Sequence, residues 1–178
     1  MTFVVAIDGP AGSGKGTLAI GISKKFNFSY FDTGSLYRGL ALQALDVHGE
    51  NFTKNDVITL ARNFSINSID QESLRSSKIG KYSSIIASIP EVRSILIKIQ
   101  RGFKEENLYQ KGIVVDGRDI GTVIFPNANI KFFVSASIEE RAKRRLIDFS
   151  ERNEIISYNE VIKQLQKRDQ RDKERSVA

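Results

Sequence analysis

Apolar residues in this 178-residue chain gather in four short runs, separated by longer stretches of helical spacing. The runs cover 3–8, 28–32, 113–116 and 130–135, and each is rich in Val, Ile or Phe. Such runs bounded by polar residues predict strands. Elsewhere apolar positions recur every three or four residues, which predicts helices over 34–47, 54–64, 77–88, 90–109 and 157–175. The clearest is 90–109, where Val92, Ile95, Leu96, Ile99 and Phe103 share a face and Pro90 stands at the first turn. After the first strand, Leu18, Ile22 and Phe26 lie four apart and predict the buried face of another helix. Strands alternating with helices predict an α/β/α sandwich around a parallel sheet, whose ligands bind beyond the carboxyl ends of the strands.

Between Thr33 and Ile113 the pattern holds no strand, only helices and a polar stretch at 66–76 that predicts a loop. The chain therefore divides into a core, 1–33 with 112–178, and a helical insert, 34–111. Composition is that of a globular domain, 40% apolar and 27% charged. With no cysteine and one histidine, His48, disulfides, thiolate metal sites and multi-histidine sites are excluded. No apolar run approaches the length of a membrane span. The N-terminus lacks a basic leader and its apolar run stops at Asp8, so a cytoplasmic location is expected. A net charge of +6 points to anionic partners. The arginines are scattered rather than interleaved with aromatics, so small anions are expected rather than a specific nucleic acid.

The chemistry begins at Gly9-Pro10-Ala11-Gly12-Ser13-Gly14-Lys15-Gly16-Thr17. A strand precedes this stretch and a helix follows it. Glycines let successive backbone N–H groups curl around an anion, and the helix start adds unpaired N–H groups and a positive dipole end. Lys15 adds a point charge for the outer phosphates. In the general phosphate-loop pattern a hydroxyl residue directly follows the lysine; here Gly16 intervenes before Thr17. Three strands end in aspartate: Asp8, Asp32 and Asp116. An aspartate there either reaches ligand or metal or caps the next turn. On the last helix the stripe Tyr158, Val161, Ile162, Leu165 runs on into Arg168, Asp172 and Arg175. A packed face that turns ionic holds either an ion network or a charged ligand.

Four further blocks complete the picture: Asp32-Thr33-Gly34-Ser35-Leu36-Tyr37-Arg38, Val114-Val115-Asp116-Gly117-Arg118-Asp119-Ile120-Gly121-Thr122, Glu140-Arg141-Ala142-Lys143-Arg144-Arg145 and Arg168-Asp169-Gln170-Arg171-Asp172. In this order, with the glycine-rich loop, they resemble the bacterial cytidylate kinases within the nucleoside monophosphate kinase family. Those proteins also carry Gly-Thr after the loop lysine. The resemblance implies a P-loop α/β/α fold with a helical acceptor-binding insert and a short lid at about 138–157. It implies transfer of the ATP γ-phosphoryl group to CMP or dCMP with Mg²⁺, in a monomer; another small-molecule P-loop kinase is the alternative. Residues 9–17 and Lys15 would hold the ATP phosphates, and Thr17 is the candidate metal contact, with Mg²⁺ held mainly through phosphates and water. Arg38, Arg118 and Arg168 match the grip on the acceptor phosphate, with Thr33 beside it. Ser84, Arg93 and Asp119 match positions that read cytosine, though Ser84 and Arg93 also read as surface residues of helices. Asp172 and Arg175 match residues near the sugar. Arg141, Arg144 and Arg145 resemble the lid, and Lys15, Arg118 and Arg144 are the catalytic candidates. The family pattern runs on past Arg175-Ser176-Val177-Ala178, so a last strand and helix are expected to be missing here, and the acceptor insert looks shortened around 66–76.

Overall fold

The computed structural model describes residues 2–65 and 73–174, arranged as two compact units, 1–33 with 100–178 and 34–99. The first unit is built on four strands, β1 (Phe3–Asp8), β2 (Ser29–Asp32), β3 (Gly112–Gly117) and β4 (Ile130–Phe133). They form one parallel sheet in the order β2-β3-β1-β4. β3 is buried along its whole length and β1 from its second residue on, as near-continuous Val/Ile runs require in the middle of a parallel sheet. The register sets Asp8 beside Gly117, and Asp32 beside Asp116. The strand-end aspartates therefore gather at the carboxyl ends of the strands.

Helix α1 (Lys15–Phe26) packs on this sheet through Ala19, which joins Val5, Ile7 and Val114 in one cluster with Ile22 alongside. This corrects the Leu18–Ile22–Phe26 face. Leu18 and Phe26 are 39% and 52% exposed, while the small Ala19 is fully buried. The contact runs along the Ala19–Ile22 face of the helix, so only Ile22 of the expected stripe packs against the sheet.

Strand β4 is also shorter than the expected 130–135. It occupies a sheet edge with Phe133 74% exposed, whereas its apolar run alone reads as a core strand. Helices α6 (Ile138–Ser150) and α7 (Tyr158–Lys173) pack on each other through Ala142, Phe149, Val161 and Leu165, around Ala11 of the glycine-rich loop. Ser137 and Ser157 cap them by accepting from the N–H groups of Glu140 and Glu160 at 3.3 and 3.2 Å.

The second unit contains α2 (Gly34–His48), α3 (Lys54–Arg62), α4 (Ser77–Ile86) and the first part of α5 (Pro90–Glu106), with 3-10 turns at Gly49–Asn51 and Ser73–Arg75. A reciprocal cap opens α3: Thr53 Oγ1 accepts from the Asp56 N–H, and the Asp56 carboxylate accepts from the Thr53 N–H at 2.7 Å. Leu36, Leu40, Ala44, Val57, Ile86 and Leu96 are fully buried. Each helix stops within a few residues of the pattern's limit. Asn107, for example, ends α5 by donating its side-chain amide to the Phe103 carbonyl at 2.8 Å. Of the polar stretch at 66–76, residues 66–72 lie outside the described residues; Ser73–Arg75 form a turn and Ser76 caps α4.

Candidate active site

The glycine-rich loop leaves β1 at Asp8 and enters α1 at Lys15. Its path needs glycine at particular places. A Cβ on Gly9 would overlap the carbonyl oxygen of Val134, and Gly14, which caps α1, sits in the left-handed region at φ +94°. The buried hydroxyl of Ser13 has no hydrogen-bond partner among the described residues. A buried polar atom is normally satisfied; an anion held in the loop would supply that partner. An open groove of about 620 Å³ runs from Ser13 and Gly14 along Thr17, Leu18, Gly21, Ile22 and Lys25, with Arg144 at its rim.

Lys15 is the electrostatic centre. Burial and the nearby charge of Arg118 bring it down from 10.5 to about 7, with Arg168 adding to the repulsion and Asp116 and Asp32 opposing it. Asp116 moves the other way, pushed up to about 6 by burial and by Asp32, against the pull of Lys15 and a 3.3 Å hydrogen bond from the Tyr30 hydroxyl. A Cβ on Gly16 would stand 3.6 Å from the Asp116 carboxylate, so this carboxylate lies directly behind the loop. The backbone carbonyl of the same residue accepts from the Thr33 hydroxyl at 2.8 Å and from its N–H at 3.1 Å, which fixes the end of β2.

Arg118 is held from two sides. Its guanidinium donates to the Gly9 carbonyl and pairs through Nε with Asp172 of α7 at 2.8 Å. A smaller pocket of about 250 Å³ lies there, between Gly9, Pro10, Arg118, Phe133, Asp169 and Asp172. Asp119 is buried just before the π-turn Ile120–Ile124. The ionic face of α7 thus carries an ion pair to Arg118 through Asp172, and Arg168 adds its charge near Lys15.

The three arginines of α6 have different settings. Arg141 is buried and donates to both carboxylate oxygens of Asp169 at 3.0 and 2.6 Å, and to the Ala11 carbonyl at 3.3 Å. Arg144 reaches the Gly12 carbonyl at 3.3 Å and remains exposed. Arg145 lies over the Phe149 ring at 4.8 Å. Thr17 is exposed on the first turn of α1.

The helical unit holds Arg38 partly buried and Ser84 and Arg93 buried, so neither Ser84 nor Arg93 is a surface residue. Arg175 lies outside the described residues. Asp169 had no signal of its own in the sequence. Its bidentate pairing depends on α6 and α7 lying side by side, which no spacing along one helix encodes.

A loop of N–H groups beside Lys15, Arg118 and Arg168 can hold polyanions and neutralise charge that builds between them. Comparison with known proteins agrees with this chemistry. The family model described as cytidylate kinase matches residues 5–178. A cytidylate kinase of Methylocella silvestris is 43% identical over 98% of this chain and 80% of its own length. Those of Cereibacter sphaeroides and Fusobacterium nucleatum are 41% and 42% identical over 100% and 97% of this chain, and 82% of each of theirs. The chain thus spans about four fifths of the length of these relatives. Among solved structures, an uncharacterized protein from Eubacterium ventriosum shares the fold, with a TM-score of 0.50 at 14% identity over 97% of this chain and 76% of that one. With a glycine-rich loop, Arg118 at the carboxyl end of β3 and this kinship along nearly its whole length, the chain belongs to the cytidylate kinase family.

Proposed function

We propose that this protein transfers the γ-phosphoryl group of ATP to the phosphate of CMP or dCMP, giving ADP and CDP or dCDP. The observation that carries the reading is the gathering of Lys15, Arg118 and Arg168 about a glycine-rich loop, where burial first and then the charge of the two arginines lower the lysine. Like charges held together are costly unless an anion joins them. Phosphoryl transfer to an acceptor that is already anionic needs alignment and charge neutralisation rather than a strong base. An acceptor phosphate oxygen attacks the γ-phosphorus while the bond to the ADP oxygen breaks. Lys15 and the N–H groups of Gly12 to Gly16 hold the donor, and Arg118 and Arg168 hold the acceptor phosphate.

The unit 34–99 serves as the acceptor-binding insert through Arg38, Ser84 and Arg93, with Asp119 supplying a carboxylate for the cytosine amine. Helix α6 and the segment after it serve as the lid, where Arg144 is an exposed cation reaching the Gly12 carbonyl of the loop. Arg141 anchors that helix through Asp169. Oxygen donors suit Mg²⁺, and the Thr17 hydroxyl with Asp116 behind the loop fits that preference. When bound, the ion would offset the negative charge of the phosphates. On this reading the partners are small nucleotides, the compartment is the cytoplasm, and neither a second copy, a nucleic acid nor a membrane is required. Among the described residues no helix is long and apolar enough to cross a membrane.

A coupled assay with CMP, dCMP, UMP, AMP, GMP and shikimate tests the proposal. CMP and dCMP are expected to lead, with activity lost on EDTA treatment and in Lys15→Ala. A preference for AMP or shikimate would move the protein to the alternative, another small-molecule kinase on the same loop. Asp119→Ala is expected to relax the choice of base while leaving the ATP requirement intact.

A further inference from the structure

Asp8 closes β1, and its carboxylate is buried rather than turned to a ligand. Both oxygens are occupied: Oδ1 accepts from the Ile120 N–H at 2.7 Å and Oδ2 from the Gly121 N–H at 2.8 Å. These two residues open the π-turn directly after Asp119. Within the turn, the Val123 and Ile124 N–H groups go to the Asp119 carbonyl and the Phe125 N–H to that of Ile120. The first N–H groups of any helical turn lack acceptors inside it, and here Asp8 supplies them. Gly121 permits the approach, since a Cβ there would stand 3.3 Å from Asp8 Oδ2 and 3.1 Å from Lys131 Cδ. A second link crosses in the opposite direction, from the Arg118 guanidinium to the carbonyl of Gly9. Donor loop and acceptor turn are thus bound twice, each time by a side chain of one and backbone of the other.

We propose that Asp8 is a positioning residue for the acceptor, fixing the turn that aims Arg118 and Asp119 relative to the phosphate loop. The inference rests on the function proposed above. It separates Asp8 from its neighbours on β3 and β2: Asp116 and Asp32 face Lys15, whereas Asp8 faces the turn. It also explains why a carboxylate stands here at all, because two convergent N–H donors need two acceptors on one short side chain, and charge strengthens both bonds.

Asp8→Asn keeps the shape but turns an amide NH₂ toward one of the N–H groups. The KM for CMP is expected to rise about tenfold or more, the scale of one lost charge-assisted hydrogen bond. The preference for CMP over UMP should fall by a similar factor, while the KM for ATP changes by less than about twofold on the same scale. Asn129→Ala is the control for simple destabilisation. It removes the acceptor of the Val4 N–H, 2.8 Å away at the other end of β1, and should lower the melting temperature without splitting the two KM values. Should Asp8→Asn fail to fold, Gly121→Ala crowds Asp8 Oδ2 while leaving the carboxylate intact, and is expected to give the same split in smaller measure. If CMP is not a substrate of the wild type, the proposed function fails. If the wild type uses CMP but Asp8→Asn, or Gly121→Ala in its place, leaves CMP affinity and base preference unchanged, this inference alone is overturned. Equal shifts for CMP and ATP, or a split reproduced by Asn129→Ala, would overturn it as well.

Discussion

Burying an ammonium group, and doing so beside two guanidinium groups, costs the protein stability, and that cost can be measured through pH. The Lys15 ammonium falls from 10.5 in the unfolded chain to about 7 in the folded one. Between those values the unfolded chain binds the proton and the folded chain has released it. Stability therefore rises with pH across that window, by up to roughly 1.4 kcal/mol per pH unit for one proton. Asp116 works in the other sense. Its carboxyl rises from 3.8 to about 6, so between those values the folded chain holds the extra proton and stability falls as pH rises. The pair should produce a trough between about 6 and 7, with recovery toward 10.5. Lys15→Met removes the recovering limb. Near pH 7 this variant is expected to exceed the wild type in stability by on the order of 2–4 kcal/mol, with the gap closing toward the lysine's unfolded value. Urea unfolding of both proteins across this range reads it, and the difference curve cancels surface groups such as Asp56, whose lowered carboxyl is common to both. Adding inorganic triphosphate to the wild type should erase the limb, because an anion restores the charged lysine. A difference curve that stays flat within about 0.5 kcal/mol above pH 7 would falsify the claim that Lys15 is held against its own charge.

Other outcomes follow from single contacts. Asp169→Asn strips the buried Arg141 of its bidentate partner and is expected to cost about 3 kcal/mol in chemical denaturation, since it leaves a charge inside the protein without its counterion. Gly9→Ala drives a methyl group into the Val134 carbonyl and should abolish nucleotide binding in calorimetry. Gly21→Ala meets nothing within 4 Å and should raise stability by about 0.5–1 kcal/mol in thermal melts. Arg118→Met removes the links to Gly9 and Asp172 together, and kcat/KM for CMP should drop by about 10²–10³-fold while the protein still binds ATP.

The chain's own order of residues already determined a good deal. Buried parallel strands must be apolar throughout, so β1 and β3 stood out, and period-3.6 spacing placed α5 to within a few residues. The phosphate loop was legible because its geometry depends on backbone N–H groups and glycines, which are local in sequence. Edges and partners were not legible in this way. An Ile-Lys-Phe-Phe run reads alike in the middle of a sheet or at its margin, and only the strand order set β4 at the margin with Phe133 exposed. Leu18 and Phe26 formed a convincing stripe, yet the sheet met Ala19 instead. Asp8 could equally have faced a ligand or a turn, and the π-turn after β3 decided it. Arg141 carried no sign of its partner until α7 brought Asp169 beside it. The physical reason is common to these cases. Propensity, periodicity and loop chemistry are properties of neighbouring residues, whereas exposure, ion pairing and the charge on a titrating group are set by residues that only folding brings within a few ångströms.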